Sequence, residues 1–205
     1  MIAGHYGVAA AVKASAPQVP LWALMLATVW LDVLFVPLLL AGVETFGPAP
    51  GTTGGYGGSI IHAGYTHSLV GALLASAAFG ALFARRWGRR AAIVLSAVAF
   101  SHWLLDLVVH RPDMPILPGN AGDLPLLGLG LWRVPAAAAT VEAALVIAGT
   151  FLYWRAAQRV TRDGAAPAAR PSSAARSPRR ASPRLTALLM VLCGALVLAT
   201  ELVGA

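Results

Sequence analysis

Three ionisable side chains recur at every fourth position in the apolar segment SHWLLDLVVHRPD, which begins at residue 101. His102, Asp106 and His110 stand at i, i+4 and i+8, so on a helix they form one slowly drifting stripe. Ionisable groups are rare in lipid and usually face the interior of a bundle at functional sites. Because neutral imidazole and carboxylate suit zinc and similar divalent ions, the spacing indicates a metal site.

A second histidine pair lies in the motif HAGYTHS, which His62 opens. His62 and His67 are five residues apart, which puts them about 140° apart on a continuous helix. A helix that starts after Gly64 would let His62 approach from a loop. Thr66 or Ser68 could hold a ring N–H or cap the helix.

Depth in the membrane gives a test that is independent of spacing. Asp32 lies near the middle of an apolar segment with no basic residue nearby in sequence, so its charge needs a metal ion or a histidine cluster. Counted from the predicted span ends, several polar groups on different helices lie within about 12 Å of one another in depth. This layer, in the outer half of the membrane, contains Asp32, His67, His102, Asp106 and Glu142.

The composition selects an integral membrane protein. The 205 residues are 58% hydrophobic and 11% charged, whereas about a quarter of the residues in soluble domains are charged. The net charge of +7 comes from arginines clustered beside apolar runs, which is typical of the positive-inside rule, so no nucleic-acid partner is expected. The single cysteine, Cys193, excludes a disulfide within the chain.

The apolar runs predict an all-α fold, a polytopic membrane helix bundle of about five transmembrane helices plus a short N-terminal helix. A bundle over residues 1–156 carries the metal site, a disordered basic linker covers 157–183, and a C-terminal transmembrane helix covers 184–205. The Gly- and Pro-rich segment 44–59 is expected to be a loop. The spans are predicted at 20–43, 60–84, 91–110, 134–156 and 184–204, with the short helix at 4–15.

Two arginine-rich segments set the expected orientation. RRWGRR at 85–90 and the Ala-, Pro- and Arg-rich segment 154–184 are both placed in the cytoplasm. The N-terminus is then cytoplasmic, and the segments 44–59 and 111–133 lie outside with the C-terminus. The linker could be a tether, or it could bind anionic lipids or a protein partner.

The order GHYG, WLD, HAGYTHS and SHWLLD resembles the bacterial membrane-bound metal-dependent hydrolases, also described as inner-membrane-associated hydrolases of the LexA-binding type. The resemblance covers about residues 1–113 and implies a bacterial inner-membrane location. The metal-binding residues that it implies are His5, Asp32, His62, His67, His102 and Asp106.

This chain departs from the pattern of that family at two motifs. Ala63 stands where the family's H-R-x-x-T-H-S motif has arginine. Leu31 and Leu34 stand where its P-D-x-D pattern has a proline and a second acid, so Asp32 is the one carboxylate there.

The leading hypothesis is a membrane-embedded hydrolase that uses one or two divalent ions, zinc by first choice, on a phosphoester or ester of a lipid-like substrate near the outer leaflet. Asp32 or Glu142 would accept the proton from water, and His110 with Asp113 would line an entrance. A transporter of protons or divalent metal is one alternative. A non-catalytic membrane scaffold or regulator is the other.

Overall fold

The computed structural model describes residues 1–49, 58–163 and 182–203, and helices dominate these residues. The predicted all-α class is therefore confirmed, with one small β-hairpin added to it. The helices are α1 (Ile2–Ser15), α2 (Leu21–Thr28), α3 (Trp30–Leu40), α4 (Leu69–Val109), α5 (Pro135–Asp163) and α6 (Pro183–Val203), and the strands are β1 (Thr45–Pro48) and β2 (Ser59–His62).

Two helices among the described residues are long and apolar enough to cross a membrane, and the bent pair α2 and α3 could form a third span. These are Leu69–Val109 and Pro135–Arg159. The predicted count of about five spans is therefore not supported. The stretch Arg184–Ala199 of α6 is apolar but is not counted among these spans.

Helix α4 doubles back at Gly88, whose backbone has φ +80°. A side-chain carbon added at Gly80 would collide with Ala92 and Ser96, and the Trp103 indole donates to the carbonyl of His67 at 2.8 Å. Contacts between residues so far apart in sequence are impossible along a straight helix. The predicted spans 60–84 and 91–110 thus correspond to two antiparallel arms, 69–87 and 89–109, each about 30 Å long.

The predicted span 20–43 is a broken helix. Val29 leaves the helical region at φ −115° and ψ 14°, and α2 and α3 meet at an angle of 50°. The break puts the Thr28 carbonyl at a helix C-terminus, where it has no partner within its own helix. It also puts Asp32 in the first turn of α3, where the helix dipole favours a negative charge.

The predicted loop 44–59 instead contains β1 and the first residue of β2. The two strands pair antiparallel, with Thr45 opposite His62 and Pro48 opposite Ser59. The apolar residues Ile60 and Ile61 therefore belong to a strand and not to the start of a span. Residues 50–57 lie outside the described residues.

Three glycines let α1 pack directly on α5. A side-chain carbon at Gly7 would overlap the Leu145 carbonyl, and one at Gly149 would overlap the Gly7 carbonyl. At Gly4 the nearest side chain is again Leu145, at 3.2 Å. This backbone contact buries the predicted short helix 4–15, which extends over Ile2–Ser15, inside the bundle.

The predicted linker 157–183 begins inside α5, which continues to Asp163. Residues 164–181 lie outside the described residues. After them α6 packs back on α5, with Gly194 beside the Val146 side chain.

Enlarging Gly7 should force α1 away from α5. We expect Gly7→Ala to lower the free energy of unfolding by about 1–3 kcal/mol, the usual cost of an overpacked contact. Thermal unfolding in detergent measures this. Gly47→Ala, at a strand position with nothing within 4 Å, is the control, and an equal loss of stability there would contradict the interpretation.

Candidate metal centre

Four separate segments deliver histidine and aspartate side chains to one point. His5 comes from α1, Asp32 from the first turn of α3, His67 from the residue before the cap of α4, and His102 and Asp106 from the second arm of α4. Two groups in this cluster could hold a metal ion because their ligand atoms lie within 4.8 Å of one another. These groups are His5, His102 and Asp106, and Asp32, His67 and His102.

The distances among four of these side chains fit one tetrahedral ion. The Nε2 atoms of His67 and His102 are 3.3 Å apart. Asp32 Oδ1 is 3.6 Å from the first nitrogen and 3.5 Å from the second, and Asp106 Oδ2 is 3.6 and 2.9 Å from the same two atoms. A tetrahedron with metal–ligand bonds of about 2.0–2.1 Å has edges of about 3.4 Å. These five distances are close to that edge length, so the donor set could hold a metal ion.

Hydrogen bonds fix which nitrogen of each histidine faces the cluster. His102 Nδ1 donates to the Thr28 carbonyl at 2.7 Å, the group that the helix break at Val29 leaves free. His67 Nδ1 donates to Thr66 Oγ1 at 2.8 Å, because that hydroxyl donates its own hydrogen to Glu44. In its neutral form each ring therefore presents an Nε2 lone pair to the cluster, the form in which imidazole binds metal.

Glu44 is the functional candidate that the sequence did not reveal. The residue is 1% exposed, and its Oε2 accepts from the Thr66 hydroxyl at 2.8 Å. Its Oε1 accepts from the backbone N–H groups of Tyr65 and Thr66 at 2.7 and 2.8 Å. Glu44 thus fixes the turn that carries His67 and sets the tautomer of that ring. Its position in a Gly- and Pro-rich segment made it resemble an ordinary loop acid.

The two hydroxyl groups of the motif YTHS have different hydrogen-bond partners. Thr66 holds the ring N–H of His67, and Ser68 caps α4 by accepting from Gly71 N at 3.1 Å while it donates to the Tyr65 carbonyl. The expectation that these two hydroxyls orient the ring and cap the helix is confirmed.

His5 contacts the carboxylate oxygen of Asp106 that does not face His67 and His102. Its Nε2 lies 3.2 Å from Oδ1 of Asp106, while the other carboxylate oxygen of Asp106 faces His67 and His102. Its ring stacks on His102 with centroids 3.9 Å apart. Among the described residues, His5 Nδ1 is buried without a hydrogen-bond partner.

Glu142 lies near this cluster in depth but outside both ligand groups. Its buried carboxylate accepts from Gly4 N at 3.0 Å, at the N-terminus of α1. The contact favours both partners because the helix dipole is positive there. Glu142 therefore anchors the helix that carries His5, and this position does not support its predicted role as the base.

His110 and Asp113, which were predicted to line an entrance, form a buried pair, and only His110 lines the cavity at the cluster. His110 is 3% exposed, donates from Nδ1 to Asp113 Oδ1 at 2.9 Å, and directs Nε2 to 3.8 Å from Asp106 Oδ2. The second oxygen of Asp113 accepts from Ile61 N, which joins the β-hairpin to this end of the cluster. His110 also contacts Trp132 at 4.4 Å between ring centroids.

His62 is not brought to the cluster. Its side chain is exposed at the end of β2, opposite Thr45 in the register, and it is absent from both ligand groups. The strand places it apart from His67, although only four residues separate the two in sequence.

A cavity of about 300 Å³ reaches the cluster. Asp32 is its most open polar member, with 41% of the side chain exposed, whereas the His102 and Asp106 side chains are 1% and 5% exposed. His5, His67 and His110 also line the cavity. The remaining wall is apolar and includes Ile2, Phe35, Val36, Ile61 and Trp132.

No protein-family model, curated protein or solved structure matches this chain. The resemblance to membrane-bound hydrolases therefore rests on the quoted motifs. The geometry independently indicates that the buried histidines and aspartates could hold a metal ion.

Removing the Thr66 hydroxyl should weaken metal binding without removing a ligand. Thr66→Val leaves the His67 ring N–H without its acceptor, and we expect a 10- to 100-fold lower metal affinity. Competition with a chromogenic chelator measures it. Thr140→Val removes an exposed hydroxyl that bonds the Ala136 carbonyl, and it should leave the affinity unchanged. Equal affinities for the wild type and Thr66→Val would disprove the orienting role.

Proposed function

We propose that this chain is a membrane-embedded, metal-dependent hydrolase. The observation that carries the proposal is the arrangement of four ligand atoms. The Nε2 atoms of His67 and His102 are 3.3 Å apart, and one oxygen of Asp32 and one of Asp106 each lie within 3.6 Å of both nitrogens. The Nδ1 atom of each ring already has its own hydrogen bond. His67, His102 and Asp106 would hold one divalent ion, zinc by first choice. Three protein ligands with one open position are typical of catalytic zinc sites.

Asp32 is the candidate general base. It is at the fourth corner of the cluster and is the member that opens to the cavity. When bound, the ion would supply Lewis acidity and lower the pKa of a coordinated water toward about 7. Asp32 would accept the proton from that water, while His5 keeps Asp106 oriented through its Oδ1 atom.

The cavity favours a substrate with an apolar portion. Phe35, Val36, Ile61 and Trp132 line it beside the polar cluster. An amphiphilic ester or phosphoester would place its reactive group at Asp32 and its hydrocarbon against these side chains. A lipid-like substrate is thus the class that we propose.

We propose that the arginine-rich end of the bundle faces the cytoplasm of a bacterium. His5 on α1 lies beside His102, whereas Ala16 and Val19, which follow α1, pack in one cluster with Ala91 near the α4 turn. Because α5 runs parallel to α1, the segments after Trp87 and after α5 lie at the same end. His102 is about 20 Å along its arm from Arg89, so the cluster lies toward the outer face. Residues 1–5 lie beside His102 and would also be in the outer half, which differs from the predicted cytoplasmic N-terminus.

Metal content and hydrolysis test the proposal in one set of variants. Wild-type protein purified in detergent should hold about one equivalent of divalent metal and cleave bis(p-nitrophenyl) phosphate or p-nitrophenyl butyrate. Asp106→Ala should lose the metal and the activity. Asp32→Asn should keep the metal and lose at least about 10²-fold in rate, the usual size of general-base catalysis.

His62→Ala is the matched control because it removes an exposed histidine outside the cluster. It should keep both metal and activity. Folded protein that contains no metal would overturn the metal site. The histidines and aspartates would then be held together by protons that they share. Metal without hydrolysis of either probe would overturn the hydrolase and leave the metal site.

Transport of divalent metal is a second candidate, favoured by the break between α2 and α3. Interrupted helices form the binding sites of many transporters, and Asp32 lies in the first turn after this break. Zinc flux into proteoliposomes distinguishes the two. Flux that Asp32→Asn abolishes would favour transport, and wild-type vesicles no leakier than empty ones would exclude it.

A further inference from the structure

A groove of about 770 Å³ runs along the α4 hairpin, and none of the residues of the metal cluster lines it. Its floor is made of small side chains, which leave room between the two arms. Larger apolar residues, Leu73, Ile93 and Phe100, form its edges. The small residues are Ser76, Ala77, Ala81, Ala84, Ala92, Ser96 and Ala97.

Two arginines close one end of the groove. Arg85 and Arg89 line it on either side of the turn at Gly88, and both are exposed. Within the described part of the chain, no salt bridge joins either guanidinium to an acidic side chain. The groove therefore combines an apolar channel with a positively charged end that lacks a protein counter-charge.

Ser76 gives an independent indication of a ligand. The residue is 2% exposed and lines the groove, and its hydroxyl has no hydrogen-bond partner among the described residues. Arg85 is nine residues further along the arm, about 14 Å away, and lines the same groove at its charged end. A ligand with an anionic group at Arg85 and an acceptor oxygen deeper in the groove would satisfy both side chains.

Aromatic side chains place the charged end at a membrane surface. Trp22, Phe83 and Trp87 form a cluster beside the turn, with Phe83 and Trp87 stacked at 4.7 Å and Trp22 at 5.7 Å from Trp87. Tryptophan is enriched at the level of lipid headgroups. The arginines at this turn therefore lie where phosphate groups are, and the groove extends from them into the hydrocarbon.

We propose that this groove binds one anionic phospholipid. Its phosphate pairs with Arg85 and Arg89, an ester carbonyl accepts from the Ser76 hydroxyl, and one acyl chain lies over the alanines. A second copy of this chain fits the groove less well, because a parallel symmetric contact would bring the arginine-bearing turns of both copies together.

Native mass spectrometry in detergent tests the site with phosphatidylglycerol and phosphatidylcholine of identical chains. Wild type should retain one phosphatidylglycerol and prefer it at least about tenfold. Each arginine near a lipid surface contributes about fivefold in affinity, so Arg85→Gln with Arg89→Gln should cost roughly 25-fold. The matched control is Arg86→Gln with Arg90→Gln, which removes the same charge from the same turn but outside the groove.

A separate variant tests whether an acyl chain lies in the groove. Ala81→Phe should fill the groove and weaken both lipids, whereas Ala78→Phe, at an exposed position outside the groove, should change neither. Equal losses from the two arginine pairs, no effect of Ala81→Phe, or displacement of the lipid by millimolar inorganic phosphate would overturn the proposal. A wild-type dimer that Ala81→Phe converts to monomer would also overturn it, since a second copy would then occupy the groove.

Discussion

Four hydrogen-bond acceptor atoms meet between the helices, and their mutual repulsion is the constraint on which the rest of the bundle depends. The Nε2 atoms of His67 and His102 face each other at 3.3 Å, with Asp32 and Asp106 beside them, while the protons of both rings point away to Thr66 and to the Thr28 carbonyl. Lone pairs and carboxylates repel one another at such distances unless a cation or protons lie between them. A divalent ion would resolve the conflict, because the Nδ1 protons of both rings already point away from the cluster.

Several structural features around the cluster hold those acceptor atoms in place. The break at Val29 releases a carbonyl for His102 and places Asp32 at a helix N-terminus. Glu44 fixes the turn before α4 and so orients His67. Glycine contacts bring α1 against α5, with Glu142 anchoring its first turn, and His5 reaches Asp106 as a result. Each feature hydrogen-bonds or packs against a candidate ligand on the side away from the cluster. Such contacts orient the ligands of protein metal sites and raise their affinity for the metal.

The two ends of the α4 hairpin have different chemistry. One end carries His67, His102 and Asp106, and the other carries arginines beside a tryptophan cluster. Arg89 and His102 are about 20 Å apart along the arm, so the charge of the arginine end is kept away from the cluster. A lipid held at the arginine end would stabilise the hairpin, and thus the cluster, without touching it.

The sequence by itself determined the helical class, the apolar character and the layer of polar residues, because hydropathy and the spacing of His102 and Asp106 are local properties. It also identified Asp32 and His67, since ionisable residues stand out in apolar segments. Only the tertiary structure decided the rest. Glu44 and His110 join the site, and His62 stays outside it, because a β-hairpin and a helix break redirect the chain. The doubling of α4 at Gly88 and the tight α1–α5 contact depend on packing between distant residues, which no local pattern records.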